Sequence, residues 1–459
     1  MGQTVGTTQQ SAALTDDDLD TLWRPLTQHA LRKRPLTIVE GHRCTVVDSD
    51  GKEYFDGIAG LWCVNVGYGQ ERLVEAAAAQ MSRLPFTPLS RPAPVSIELA
   101  RKLREILPGD LNHILFVNTG SEANEAALKI ARQYARQKHA GQNRSKIIAR
   151  YRGYHGWTFG ANSATGQAGR KVAFEPLVPG FVHVRPPDLF RLLEGLSPSQ
   201  AARELARELD QVIEFEGPES VAAFIGEPII GGGGVLVPPD EYWPLIREVC
   251  DKHGVLLIHD EIITGFGRTG AMFCSEHWGA TPDIICMAKG ISSGYVPLAA
   301  VGVTDEVFGG FLGDPADRVH FTQISTYGGH PVACAVALEN IALIEELGLV
   351  ANAAEMGARL LDGARELQRR HPVVGDVRGK GLLCGLELVE PGTKEPLAAP
   401  TVDGLVQEAQ ARGLLVGRNS GTVPRLESLL MLAPPLVVEA DEVDHVLGIV
   451  DDVLATASA

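Results

Sequence analysis

Two stretches of this chain run into residues that could do chemistry together. Val255-Leu256-Leu257-Ile258-His259 ends in Asp260, and Ile284-Ile285-Cys286-Met287-Ala288 ends in Lys289. In an open parallel sheet, ligands collect outside the carboxyl ends of the strands, so a carboxylate and an amine at two such ends can face one bound molecule. That molecule must offer an electrophile to the amine and a basic atom to the carboxylate. Pyridoxal phosphate makes both demands: its aldehyde condenses with a lysine, and its ring nitrogen stays protonated beside an anion. A strand-end aspartate and a surface lysine joined in a salt bridge would explain the same two residues, since most such charges simply face water. What the rest of the chain brings to this edge decides between them.

The elements that must position this pair are legible as apolar runs. Val221-Ala222-Ala223-Phe224-Ile225 leads into Gly226-Glu227-Pro228, so three successive runs terminate in Glu227, Asp260 and Lys289. Continuous apolar runs separated by helical segments are what a parallel sheet covered on both faces requires. Further upstream, Ile114-Leu115-Phe116-Val117 is followed by Asn118-Thr119-Gly120-Ser121-Glu122, then by Ala123, Ala126, Ala127, Ile130, Ala131 and Tyr134 at helical spacing. A strand, a turn with Gly and Ser and then a helix leave backbone N–H groups free at the positive end of the helix. Such an end suits a phosphate, and Thr119 or Ser121 could equally serve as an ordinary cap. Ile147-Ile148-Ala149 precedes Tyr151-Arg152-Gly153-Tyr154-His155-Gly156, where an aromatic pair between glycines can lay a ring against a planar group.

The flanking segments are less specific. Residues 22–29 combine an aromatic, a cation, an amide and an imidazole without periodicity, which reads as a loop over a site or as an arm on a neighbour. Residues 37–56 alternate around Asp50-Gly51, a pair favoured in tight hairpins. The glycine-rich stretch 60–69 is either a site wall or a core corner. Residues 187–216 read as a solvated helix, and a strand region begins at 294–298. A long helix is predicted from Ala335 through Leu343 and Leu347. Residues 376–388, 414–416 and 429–432 read as strands of a smaller α/β unit, closed by a helix from about Glu439.

Composition removes several classes of function. The chain has 459 residues and a formal net charge of −16, which disfavours nucleic acid and anionic membranes as partners. Seven cysteines without any Cys-x-x-Cys pair fit free thiols in a reducing compartment. Cys274 and His277 have metal-like spacing but no second pair, so no metal site is expected. Residues 1–20 are polar and aperiodic and are expected to be flexible. They lack the apolar core of a signal peptide or anchor, and no apolar run is long enough to span a bilayer, so a cytoplasmic protein is expected.

Taken in order, Gly120-Ser121-Glu122, Tyr154-His155-Gly156, Gly226-Glu227-Pro228, Asp260-Glu261, Gly265-Phe266-Gly267-Arg268-Thr269-Gly270 and Ala288-Lys289-Gly290 resemble the class III aminotransferases of PLP fold type I. The resemblance covers nearly the whole chain past residue 20. It implies an α/β fold in which a large domain with a mostly parallel central sheet occupies residues 71–335. A smaller α/β domain would be built from N- and C-terminal segments, 21–70 and 336–459.

Carried over residue by residue, the resemblance makes Lys289 the lysine that holds the cofactor aldehyde and then moves the substrate proton. Asp260 looks like the acid that keeps the ring nitrogen protonated. Gly120, Ser121 and the Glu122 backbone resemble the phosphate cup, while Tyr154 and Ile262 resemble the residues on the two faces of the ring, with His155 and Glu227 in the surrounding network. Ile262 stands where many relatives have valine. Thr326 resembles the threonine that reaches the phosphate of the neighbouring subunit, which implies a homodimer with shared active sites that could pair further into a tetramer.

Within the class, residues 22–25, 60–69 and 417–419 look like those of ω-amino acid and amine:pyruvate transaminases, including the taurine:pyruvate type. Trp23, Leu61, Trp62 and Tyr154 would then line the substrate pocket, and Arg418 would clamp the keto acid carboxylate, with Arg425 competing for that role. The implied reaction is a ping-pong transfer of an amino group from an amine or ω-amino acid to pyruvate. An aminomutase or a decarboxylase of the same fold would use the same two central residues, and a non-enzymatic cofactor-binding protein would have little use for them.

Overall fold

The computed structural model describes residues 21–31, 34–139 and 141–457; the stretch 1–20, expected to be flexible, lies outside them. Fifteen strands among the described residues form three sheets. Those in chain order are β1 (Ile38–His42), β2 (Thr45–Asp48), β3 (Glu53–Asp56), β4 (His113–Val117), β5 (Lys146–Arg150), β6 (Phe181–Val184), β7 (Val221–Gly226) and β8 (Leu256–Asp260). After them come β9 (Ile284–Met287), β10 (Ala299–Val303), β11 (Val374–Gly379), β12 (Cys384–Leu388), β13 (Leu414–Leu415), β14 (Gly417–Arg418) and β15 (Leu429–Leu432).

The central sheet has the order β4-β10-β9-β8-β7-β5-β6. Pairing is parallel from β6 through β5, β7 and β8 to β9, whereas β10 is antiparallel to both β9 and β4. Two reversals restore direction, so β4 points the same way as β9. Six of the seven strands therefore present their carboxyl ends along one edge. Every residue of β7, β9 and β10 is buried, which is why these segments are apolar without alternation.

Helices cover the sheet where the periodicity placed them. Gly120–Lys138 buries Ala123, Ala126, Ala127, Ile130, Ala131 and Tyr134. The charged stretch after residue 187 is helical only over Pro198–Glu216, because Ser197 and Gln200 form a reciprocal cap that starts the helix there. Likewise the helix Pro331–Glu346 stops before Leu347, which is exposed beyond its end. The strand region near 294–298 begins only at Ala299.

The two smaller sheets tie distant parts of the sequence together. One has the order β1-β2-β3-β13, so residues 414–415 pair in parallel with β3 near the N-terminus. The other has the order β11-β12-β15-β14. Residues 376–388 thus split into two antiparallel strands, and 414–418 is divided between two sheets, because Val416 sits where the chain passes from one sheet to the other. A single apolar cluster joins this region to one face of the central sheet, running from Leu99, Phe116 and Met287 to Leu386, Leu432 and Val453. No helix among the described residues is long and apolar enough to cross a membrane.

Candidate active site

The common edge of the sheet is also the floor of a cavity of about 520 Å³. Asp260, Lys289, Glu227, Tyr154, His155, Gly120, Ser121, Ile262, Leu61, Trp62 and Arg418 all line it. They come from the turns after β4, β5, β7 and β9, from the end of β8 and the turn beyond it, from β14 and from the stretch after β3, which are remote in sequence and brought together by the fold.

Asp260 is buried and held by three donors. Its Oδ2 accepts from Asn124 Nδ2 at 2.7 Å and from His155 Nδ1 at 2.8 Å, and its Oδ1 from the Ile262 N–H at 3.2 Å. A carboxylate only accepts, so His155 carries its proton on Nδ1 in this contact. Asn124, fully buried, also donates to the His155 carbonyl at 2.6 Å. Glu227 accepts the Tyr154 N–H and the Gly231 N–H, each at 2.9 Å. Burial pushes the Glu227 carboxyl above its usual range, and the nearby Asp260 charge adds to this.

Lys289 follows β9 with a left-handed φ of 45°, an unusual backbone state for a residue with a side chain. Its Nζ lies 5.0 Å from the centroid of the Trp62 ring. Burial depresses the ammonium pKa against the opposing pull of the Cys63, Asp260 and Glu227 charges. Burial here favours the neutral amine, the form in which a lysine acts as nucleophile and base.

The turn after β4 makes the anion seat, with one change to the sequence reading. Thr119 is the cap, and its Oγ1 accepts the Glu122 N–H at 3.2 Å. That donor is therefore spent, while the Glu122 carboxylate turns back to the Asn118 N–H at 2.7 Å. Glu122 does not line the cavity, which leaves the first-turn N–H groups of Gly120 and Ser121 as the seat. Two glycines keep it open. A Cβ at Gly120 would stand 2.8 Å from Ile262, and one at Gly156, where φ is 134°, would stand 2.5 Å from Ser121 Oγ.

A neutralisable amine, a buried hydrogen-bonded carboxylate, a helix-start anion seat and the Tyr154 ring meet in one cavity. This donor set fits pyridoxal phosphate. Burial drives the Tyr154 phenol up to about 12, so it stays protonated as a hydrogen-bonding wall.

The remaining expected positions divide. Trp23 is 88% exposed and outside the cavity of its own chain, whereas Leu26, itself 83% exposed, touches the cavity rim. Thr326 is exposed on the surface and does not line the cavity of its own chain. Arg418 lines the cavity, while Arg425 is exposed and does not. Arg418 is paired with Asp403 and also donates to the Glu427 carbonyl at 3.4 Å.

Four residues escaped the sequence reading. Asn124 sits on the inner face of the helix that carries the anion seat, and Arg170, Gln167 and Trp157 lie on the chain after Tyr154. Only the helical phase of Asn124, a polar residue on an otherwise apolar face, was a signal. The motif around Arg268 proves to be a brace: its guanidinium, fully buried, donates to the carbonyls of Leu382 and Pro434 and to Asn65 Oδ1.

Comparison with known proteins gives concordant results. A family model described as aminotransferase class-III matches residues 27–454. An uncharacterised aminotransferase of Bacillus subtilis is 45% identical, with 98% of each chain covered. A taurine–pyruvate aminotransferase of Bilophila wadsworthia is 40% identical over 98% of each chain. A putrescine–pyruvate aminotransferase of Pseudomonas aeruginosa is 40% identical over 90% of this chain and 89% of its own. Among solved structures, an (S)-enantioselective omega-transaminase from Thermomicrobium roseum superposes with a TM-score of 0.90 at 43% identity, covering 96% of this chain and 98% of its own.

Proposed function

We propose, from the premise that this chain belongs to the class III aminotransferases, that it moves an amino group from an amine or ω-amino acid to pyruvate, one site serving both half-reactions in turn. The observation that carries this reading is the meeting of Lys289 and Asp260 in one cavity with the Gly120–Ser121 seat. Pyridoxal phosphate bound there supplies an aldehyde for the substrate amine and a protonated ring that draws electrons from the bond being broken. The chain's residues do the rest. Asp260, fixed by Asn124 and His155, would hold the ring nitrogen and favour its protonated form. Lys289 Nζ would take the proton from the substrate carbon that bears the amine and deliver it to the former aldehyde carbon on the other side of the same nitrogen, a task that its lowered pKa favours.

The acceptor and donor assignments draw on the pyruvate-dependent relatives and on the cavity itself. Arg418 would bind the carboxylate of the keto acid through its planar fork once Asp403 gives way. The exposed position of Thr326 is compatible with a contribution to a second subunit in a homodimer. The domain division follows the same reading: the central sheet falls within 71–335, and β13 joins the N-terminal strands to the C-terminal segment. A cytoplasmic setting agrees with seven free cysteines.

The test is a half-reaction. Purified yellow protein mixed with an amine donor and no keto acid should lose its visible cofactor absorbance, and pyruvate should restore it. Absorbance that no donor can bleach would refute the transfer chemistry.

A further inference from the structure

We propose that Arg170 recognises the remote acidic group of the amine donor, Arg418 being left to the keto acid, so that the preferred donors carry a sulfonate or carboxylate remote from their amine. This rests on the transaminase reading above and names its donor class.

Three cations line the cavity: Lys289, Arg170 and Arg418. Lys289 is committed to the cofactor aldehyde, and Arg418, paired at rest with Asp403, is assigned to the keto acid carboxylate. Arg170 makes no salt bridge among the described residues. Its Nε donates to Gln167 Oε1 at 2.7 Å, and Nη2 has only a long contact of 3.5 Å with the Ser420 carbonyl. The outer edge of the guanidinium, the side that forms two parallel bonds to a planar or tetrahedral anion, is thus left for a ligand.

Its orientation is built. Gln167 is fully buried and anchored by its own Nε2 bond to the Arg152 carbonyl at 2.8 Å. The guanidinium carbon lies 5.2 Å from the Tyr154 ring centroid and 5.6 Å from that of Trp157, so two aromatic rings border the cation. Trp157 is itself tied to the anion seat, since its N–H donates to Ser121 Oγ at 3.1 Å.

Burial depresses the Arg170 pKa, and its charge in turn contributes to lowering that of Lys289. A half-buried cation with no carboxylate partner is costly, and a bound anion relieves that cost. A donor with a second cationic end would meet repulsion at the same place. Arg170 therefore separates the two donor types seen among the relatives and favours the acidic one.

The experiment compares kcat/KM for taurine and for propylamine at fixed pyruvate, in wild type and in Arg170→Leu. The ratio of taurine to propylamine is expected to fall about 30- to 100-fold in the variant, the worth of a charge-assisted contact. Ethanesulfonate, which has the acid but no amine, should raise the melting temperature of the wild type and not of Arg170→Leu. An unchanged ratio, or equal stabilisation of both proteins by ethanesulfonate, overturns the proposal. A wild type that transfers no amine refutes the transaminase reading instead, and the ethanesulfonate titration still decides the role of Arg170.

Discussion

Replacing Asn124 with leucine removes one side chain of nearly the same volume and tests how the site holds its central acid. Asn124 donates through Nδ2 both to Asp260 Oδ2 at 2.7 Å and to the His155 carbonyl at 2.6 Å, in a place with no access to water. Leucine abolishes both bonds without opening a large void. The bond to an ionised carboxylate is worth about 1.5–3 kcal/mol, and the stranded buried carbonyl costs about 1–3 kcal/mol. A loss near 4 kcal/mol is the rough expectation. Asp260 would keep the His155 and Ile262 bonds, so the protein should fold but hold its cofactor less firmly. The assay is urea unfolding of the holoenzyme followed by tryptophan fluorescence, with cofactor absorbance retained after dialysis as the second reading. A variant within about 1 kcal/mol of wild type, with cofactor retention unchanged, would refute the claim that this asparagine fixes Asp260. Asn124→Asp adds a check of sign. Two carboxylates at this distance cannot both ionise, so one pKa rises and the variant loses stability as pH climbs above the unfolded aspartate value of about 3.9.

Three other outcomes are expected. Glu227 has a folded pKa raised by burial, so its native form holds its proton longer than the unfolded chain; stability it supports at low pH is lost as pH rises through the unfolded value of about 4.3 towards the raised one. Glu227→Gln should therefore lose part of this pH dependence, measured by thermal unfolding of the cofactor-free protein across that window; an identical profile in both proteins would count against it. Arg268→Leu strands the Leu382 and Pro434 carbonyls and Asn65 Oδ1, and should cost more than about 3 kcal/mol in urea unfolding. Asp403→Asn frees Arg418 from a partner that is 56% exposed, so the KM for pyruvate should fall, by no more than about fivefold, as befits a surface-screened pair; a raised KM would show that Asp403 instead positions the arginine.

The sequence was most informative where local pattern and chemistry coincide. The apolar runs before Glu227, Asp260 and Lys289 are β7, β8 and β9, and the helical phase after Gly120 describes the face that is buried. It counted the Glu122 backbone in the anion seat, and in the fold that N–H goes to Thr119 Oγ1, because whether Thr119 or Ser121 takes the cap is settled by local hydrogen bonding that residue type alone leaves open. It expected Trp23 in the pocket, and in this chain Leu26 rather than Trp23 touches the cavity rim, since a non-periodic loop carries no phase to tell one side from the other.

By itself, then, the sequence determined the apolar strands that carry Glu227, Asp260 and Lys289, that their ends share an edge, and that an acid and an amine stand at two of them. Those properties follow from burial, which forces continuous apolar runs, and from a parallel sheet, which sends carboxyl ends one way. Tertiary structure alone decided the partners. It set Asn124 and His155 on one oxygen of Asp260, paired Arg418 with Asp403, and brought Arg170 beside the Tyr154 and Trp157 rings without a salt-bridge partner among the described residues. Hydrogen bonds and ion pairs between residues far apart in the chain depend on side-chain direction within the packed fold, and no spacing in the sequence encodes that direction.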